Sequence, residues 1–288
     1  MLKEYPNYQC YLKRVDNIIK NYVNTQENKQ LKEAFILLLK GGKRLRPIIA
    51  TVISDILNSK NNTNYNINDI IVANELIHSA SLILDDLPCM DNDLIRRGNP
   101  TIHAKYGVTN SNILVMYLLS DFFNLIRKNL FKLKLENRSE RTRLIFNIIN
   151  ENLGIEGAPF GQLLDINYLI GKGKQKTIEL LLEKKTATFF QIAFLSSYIS
   201  CNGDLKKLNV IKRLAKIIGI AFQISDDFSD TLTDINVSPN IANDIGIKKA
   251  KEKYTKYINE FKEIIKKEGL SHNVFTELTV ILDKRVYI

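Results

Sequence analysis

The chain is poor in the residues that staple or punctuate a fold. Its three cysteines, Cys10, Cys89 and Cys201, are scattered, with no Cys-x-x-Cys pair and an odd total. That excludes a disulfide framework and reads as reduced thiols in an intracellular protein. Glycine and proline are few, at 13 and 6 of 288 residues, and neither repeat nor linker is visible. Long hydrophobic runs are missing as well: a stretch such as Ala34 to Leu39 is far short of the roughly 20 residues that span a bilayer. Glu4 and the lack of an apolar segment around it predict no secretory signal. The net charge of +10 is spread as lysines along the whole chain among Ile and Asn. Basic and aromatic residues are not interleaved as a strand-binding groove requires, so no nucleic-acid partner is expected. A small polyanionic substrate accounts for the local basic clusters.

What is present is helical. With 45% hydrophobic and 25% charged residues the chain can bury a sizeable core. Apolar residues recur at helical spacing from Asp16 to Lys40, where Gly41-Gly42 ends the helix and Pro47 suits the start of the next. Further helices are expected over Ile48–Leu57, Ile70–Asp86, Ser111–Leu130, Ser139–Leu153, Glu156–Leu169, Thr177–Ser200 and Leu205–Asp230. Strand content is essentially nil. The reading is one all-α domain over residues 1–288, a helical bundle around a central apolar cavity with acidic patches at its mouth.

The stretch that carries chemistry is Leu82 to Gly98. Asp85, Asp86, Asp91 and Asp93 fall within nine residues, followed at once by Arg96 and Arg97. Pro88 places Asp85 and Asp86 in the last turn of a helix, where carboxylates are disfavoured by the helix dipole and need a cation. Oxygen ligands without His or Cys point to a hard ion such as Mg²⁺ shared with a phosphate. A calcium loop fails, because Ile95 and Arg96 stand where an oxygen ligand and a Gly are required. A solvated acidic loop is the bland alternative, and a second cluster argues against it. Asp226, Asp227 and Asp230 share one helical face after the apolar run Ile217–Ile224.

Between the first two helices lie Lys43, Arg44 and Arg46, a turn suited to a diphosphate, although an isolated basic turn is usually solvated surface. It lacks the GxxxxGK[ST] spacing of a P-loop. His78 precedes Asp85 by one heptad on the same stripe, where a core histidine and a ligand are both compatible. Gly157 and Gly161 inside an apolar pattern, beside Gln162 and Asp165, suggest close approach of a neighbour or ligand, and Lys184-Lys185-Thr186 precedes an apolar run.

The ordered set resembles the trans-isoprenyl diphosphate synthases, most of all geranylgeranyl diphosphate synthases of plant and bacterial type. It comprises Gly41-Gly42-Lys43-Arg44-Leu45-Arg46-Pro47, Ile77-His78, Asp85 to Asp93 with Arg96-Arg97-Gly98, and Pro100-Thr101. Gly161-Gln162 with Asp165, Lys185-Thr186-Ala187, and Phe222-Gln223 with Asp226, Asp227 and Asp230 complete it. Any one is weak; together they span nearly the whole chain.

The resemblance implies that Asp85, Asp86, Asp91, Asp226, Asp227 and Asp230 hold Mg²⁺ against an allylic diphosphate, and that Asp85, Asp86, Asp226, Asp227 and Lys185 are catalytic. It implies that Arg96, Lys185, Thr186 and Gln223 bind that diphosphate, while Lys43, Arg46, His78 and Arg97 bind isopentenyl diphosphate. Ala80 and Ser81, small where farnesyl-forming members carry aromatics, imply a geranylgeranyl product made from dimethylallyl, geranyl or farnesyl primers; Phe122 and Phe123 are candidates for shortening it. A homodimer in the cytoplasm is the family expectation, with ordinary first helices before Gly41 in place of a transit peptide. One departure stands out: residues 231–247 contain no Lys, where the family usually supplies one to the allylic diphosphate. A farnesyl or longer-chain synthase, and a weakly active or non-catalytic partner subunit, are the alternatives. A terpene cyclase would not need the Lys43, Arg46 and Arg97 set.

Overall fold

The structure, a computed structural model, describes residues 4–167, 175–230 and 240–287. It is almost wholly helical, in agreement with the sequence reading. In chain order the helices are α1 (Pro6–Asn24), α2 (Lys29–Leu39), α3 (Leu45–Asn61), α4 (Asn68–Asp86), α5 (Ile102–Tyr106), α6 (Val108–Lys132) and α7 (Arg138–Leu153). Then come α8 (Ala158–Asn167), α9 (Gln175–Leu181), α10 (Thr188–Ser200), α11 (Leu208–Asp230), α12 (Ile241–Ile245), α13 (Ile247–Lys267) and α14 (Asn273–Val286).

The bundle is organised around α10, in which every residue from Thr188 to Ser200 is buried. A helix apolar on all sides belongs at the centre, and α10 packs against α3, α4, α7 and α11. Helix α6 lies along α4, and α13 and α14 close over α11. No described helix is long and apolar enough to cross a membrane.

Three local expectations are corrected. The single helix over Asp16–Lys40 is two helices, because the Asn28 side chain accepts from Leu31 N and caps α2. An Asn satisfies a helix start better than a helix interior. The long helix over Thr177–Ser200 is interrupted by a π turn, Leu182–Ala187, an irregularity that frequently marks functional sites. Gly161 of α8 abuts that turn so closely that a Cβ would stand 2.3 Å from Lys185 N. Lastly, a short antiparallel pair exists, β1 (Ile95–Arg96) with β2 (Asn99–Pro100). Its two turn residues, Arg97 (φ 53°) and Gly98 (φ 73°), are both left-handed, as a tight type I′ hairpin needs.

Candidate active site

A cavity of about 1090 Å³ runs between α3, α4, α6, α8, the π turn and α11. Its polar lining comes from three groups. Asp85 lies in the last turn of α4, and Leu87 before Pro88 turns extended. The chain then folds back so that Asp91 N donates to Asp85 O at 2.9 Å. Burial pushes the Asp85 carboxyl up to about 6, with Lys185 opposing and Asp91 reinforcing the shift. Asp91 is also raised, by burial first. Asp86 turns away into a buried pair with Arg96, whose Nε and Nη2 reach its Oδ1 at 2.7 and 2.5 Å.

Opposite, Lys185 of the π turn is paired with Asp165. Burial works to lower the Lys185 pKa, but Asp165, Asp85 and Asp91 outweigh it and hold the ammonium charged. Thr186 Oγ1 donates to Gln223 Oε1 at 2.7 Å, and Gln223 Nε2 donates to Asp227 Oδ1 at 2.8 Å. Asp227 also accepts from Ile241 N at 2.9 Å. Its neighbour Asp226 lines the cavity and is engaged by Arg285 and, at 3.7 Å, by Lys43 Nζ. The side chain of Asp230 and the lysine-free residues 231–239 lie outside the described residues.

The third group is cationic. Lys43, Arg46, His78 and Arg97 all line the cavity. Arg46 is flanked by the rings of Phe189 and Phe190, at 5.5 and 4.9 Å from their centroids. Burial lowers its pKa to about 10, against support from Glu75 and Asp226. His78 meets Phe189 edge-on. Burial, then Arg46 and the other arginines, keeps its pKa well below the usual range, so the imidazole is neutral and acts as a neutral hydrogen-bonding group.

Arg44, the middle cation of the turn, is structural. It is buried, with Nη1 on Glu75 Oε1 at 2.7 Å, Nε on Asp16 Oδ1 at 3.0 Å, and a further bond to Leu39 O. Truncation to Ala would strand Glu75, whose Oε2 is already without a partner. We expect Arg44→Ala to destabilise the fold by about 3–5 kcal/mol, read as a fall in the thermal or urea midpoint.

A family model for polyprenyl synthetase matches residues 28–269. The chain belongs to the polyprenyl synthetase family. It is 29% identical over 271 residues to a farnesyl diphosphate synthase of Bacillus subtilis (strain 168), covering 88% of each chain. Among solved structures it is similar to a geranyltransferase of Legionella pneumophila, with a TM-score of 0.84, 22% identity and 98% of each chain covered. It is also similar to a Helicobacter pylori geranyltransferase complexed with magnesium and isoprenyl diphosphate, with a TM-score of 0.77, 24% identity, and 98% of this chain and 97% of that chain covered. The shared fold is the all-α isoprenoid synthase bundle, and the chain is a prenyltransferase.

In this polyprenyl synthetase Asp85, Asp226, Lys185, Thr186, Gln223, Lys43, Arg46, His78, Arg96 and Arg97 line the cavity, whereas Asp86, Asp91 and Asp227 do not. Among the described residues, no three acidic, His or Cys side chains converge as a metal site. Asp86 and Asp227 already accept from protein donors. The donor set nevertheless fits a hard divalent cation: it is oxygen-only, and the ionised forms are disfavoured by burial in both, by Asp91 at Asp85, and by Asp165 and Asp93 at Asp91. Ala80 and Ser81 line the cavity, as does Leu119 of α6; Phe122 and Phe123 do not. Phe122 is fully buried against Phe123, which stacks on Phe146. Sequence reasoning missed Glu75 and Arg285. Glu75 carried a faint signal, being one turn before His78 on the same face; Arg285 carried none.

Proposed function

We propose that the protein is a Mg²⁺-dependent synthase that condenses isopentenyl diphosphate with dimethylallyl, geranyl and farnesyl diphosphates to make geranylgeranyl diphosphate. One observation carries this reading: a single apolar cavity joins Asp85, Lys185 and Asp226 to Lys43, Arg46 and Arg97. Carboxylates with a lysine suit a metal-bound allylic diphosphate, and arginines that need no metal suit a second diphosphate. The name of the B. subtilis relative and the magnesium and isoprenyl diphosphate of the H. pylori structure support it.

In this reading Asp85, Asp86, Asp91, Asp226, Asp227 and Asp230 hold Mg²⁺, which supplies Lewis-acid neutralisation of the leaving diphosphate. Lys185 and Arg96 donate to the same group as its charge develops, and Thr186 and Gln223 fix its orientation through their bond to each other. Lys43, Arg46, His78 and Arg97 hold isopentenyl diphosphate so that its double bond faces the allylic carbon. Ile77, Leu84 and Phe189 exclude water from the allylic cation. The departing diphosphate takes the final proton.

A farnesyl product is the second reading, favoured by Leu119 in the cavity wall and by the name of the B. subtilis relative. Incubation with Mg²⁺, labelled isopentenyl diphosphate and each primer, with products separated by chromatography, decides between them. Twenty-carbon product is expected from all three primers, and none without a divalent ion. Ser81→Phe is expected to shorten the product by at least one five-carbon unit, because Ser81 lines the cavity. Fifteen-carbon product from the wild type would move the floor to Leu119. No elongation at all would leave the chain as a partner subunit.

For the assembly we propose a homodimer through α6. Its outer side exposes Ile113, Met116 and Phe123, apolar residues repeating at helical spacing on one stripe, a surface that a second copy would cover.

A further inference from the structure

We propose that Arg285 is the exchangeable counter-ion of the second acidic cluster: a positioning residue that keeps Asp226 neutralised until a divalent cation with a diphosphate takes its place. This rests on the reading of Asp226 as a metal ligand. Arg285 stands in the last turn of α14, beyond residues 28–269 that match the family model. Its Nη1 donates to Asp226 Oδ1, and its guanidinium lies 5.9 Å from the Phe222 ring centroid. Only 11% of its side chain is exposed. Lys43 Nζ approaches the same carboxylate oxygen at 3.7 Å.

Two cations on one oxygen have a chemical consequence. A divalent ion at Oδ1 of Asp226 displaces the charge-assisted bond of Arg285, the stronger of the two contacts, and one at Oδ2 sets its charge against the guanidinium and loosens that bond. Residues 231–247 contain neither Lys nor Arg, so the cations on Asp226 come from α14 and, at longer range, from Lys43 before α3. The helix itself is fixed: Asp283 accepts from Tyr254 Oη at 2.7 Å, and Leu282 O accepts from Ser225 Oγ at 3.3 Å. Exchange therefore proceeds by rotation of the Arg285 side chain off Asp226, with α14 in place. The same step relieves Lys43 of Asp226 and leaves it to the cationic half of the cavity, where it is already a lining residue. Binding at the acidic cluster and readiness of the isopentenyl site are thereby coupled through one carboxylate.

The test uses the full chain with inorganic pyrophosphate as probe, titrated by calorimetry at stepped Mg²⁺ concentrations. The half-saturating Mg²⁺ of Arg285→Gln is expected to fall about tenfold below that of the wild type, as removal of one charged hydrogen bond to a ligand predicts. Arg285→Lys, which keeps the charge, is expected to stay near the wild type. Should Arg285→Gln fail to fold, Arg285→Met keeps a stem over Phe222 and carries the same expectation. Asp226→Asn is the control and is expected to lose most of the Mg²⁺ dependence. If Asp226→Asn loses it while Arg285→Gln and Arg285→Met match or exceed the wild-type Mg²⁺ requirement, Asp226 is a ligand and the exchange is wrong. If Asp226→Asn keeps the wild-type Mg²⁺ dependence, the metal reading of Asp226 falls, and the exchange with it.

Discussion

Asp85→Asn is expected to lower Mg²⁺-dependent turnover by on the order of a thousandfold or more while raising the thermal midpoint of the metal-free protein. Both effects have one cause. Burial, opposed by Lys185 and reinforced by Asp91, holds the Asp85 carboxyl near 6 against its ordinary 3.8. A carboxyl whose folded pKa is raised binds its proton more tightly in the native state, so ionisation at neutral pH destabilises the fold. Allowing for its partial exposure, the cost is about 1–2 kcal/mol at pH 7. Asn removes it, and the midpoint should rise by a few degrees. The difference from the wild type should shrink as pH falls through 6 toward 4, where Asp85 takes up its proton. Calorimetric scans at pH 7 and pH 4.5, with initial rates beside them, check the pair of effects. Asp86→Asn is the contrast, because it breaks the buried pair with Arg96 and should lose stability and activity together. An Asp85→Asn variant that is both less stable and inactive would mean that Asp85 is structural.

That the stability gain and the activity loss coincide explains why some of this site is legible in sequence. A residue that disfavours the fold looks out of place locally, and Asp85-Asp86 at a helix C-terminus before Pro88 does. The same holds for Asp226 and Asp227 after the apolar run of α11 and for Gly161 inside α8. Helical periodicity located α6, α7 and α11, which bury a stripe, while α3 and α4 are found as apolar runs, being buried on every side over Leu45–Ser54 and Ile70–Ile77. It gave no warning of the Asn28 break or of the π turn at Lys185, since both are settled by a few hydrogen bonds inside an apolar pattern that continues across them. Nor could spacing separate Arg44 from Arg46. In sequence both are cations of one short stretch before Pro47; the structure puts Arg46 inside α3 and Arg44 just before it, and only the buried carboxylate of Glu75, 31 positions on, claims Arg44 for the scaffold. Partnerships made across the bundle leave no local trace. Phe122 and Phe123 illustrate the converse: large residues near a floor in sequence, they pack against α6 and α7 neighbours and leave Leu119 to face the cavity.

Arg46→Lys is the second large effect, and it separates the two halves of the cavity. We expect kcat/KM for isopentenyl diphosphate to fall by about 100- to 1000-fold, through loss of fork geometry and ring stacking. Mg²⁺-dependent hydrolysis of farnesyl diphosphate supplied alone should stay within a few-fold of the wild type, since Asp85, Lys185 and Asp226 are untouched. The substitution keeps the formal charge, so the loss has to come from environment. Arg46 is buried between Phe189 and Phe190, its Nε has no protein partner, and burial already draws its pKa from 12.5 to about 10. A lysine starts near 10.4, and the same burial would carry it to about 8. The ammonium, which is the form that binds an anion, is then lost as pH rises through that value. Relative to the wild type, the variant should therefore recover part of its kcat/KM between pH 8.5 and pH 7, a trend that a merely misplaced side chain would not produce. His78 stays neutral across this window, its pKa lying well below it, and does not contribute to the slope. A pH-independent defect would assign the loss to geometry alone. An undiminished kcat/KM would show that a point charge suffices and that the two phenyl rings serve only to exclude water.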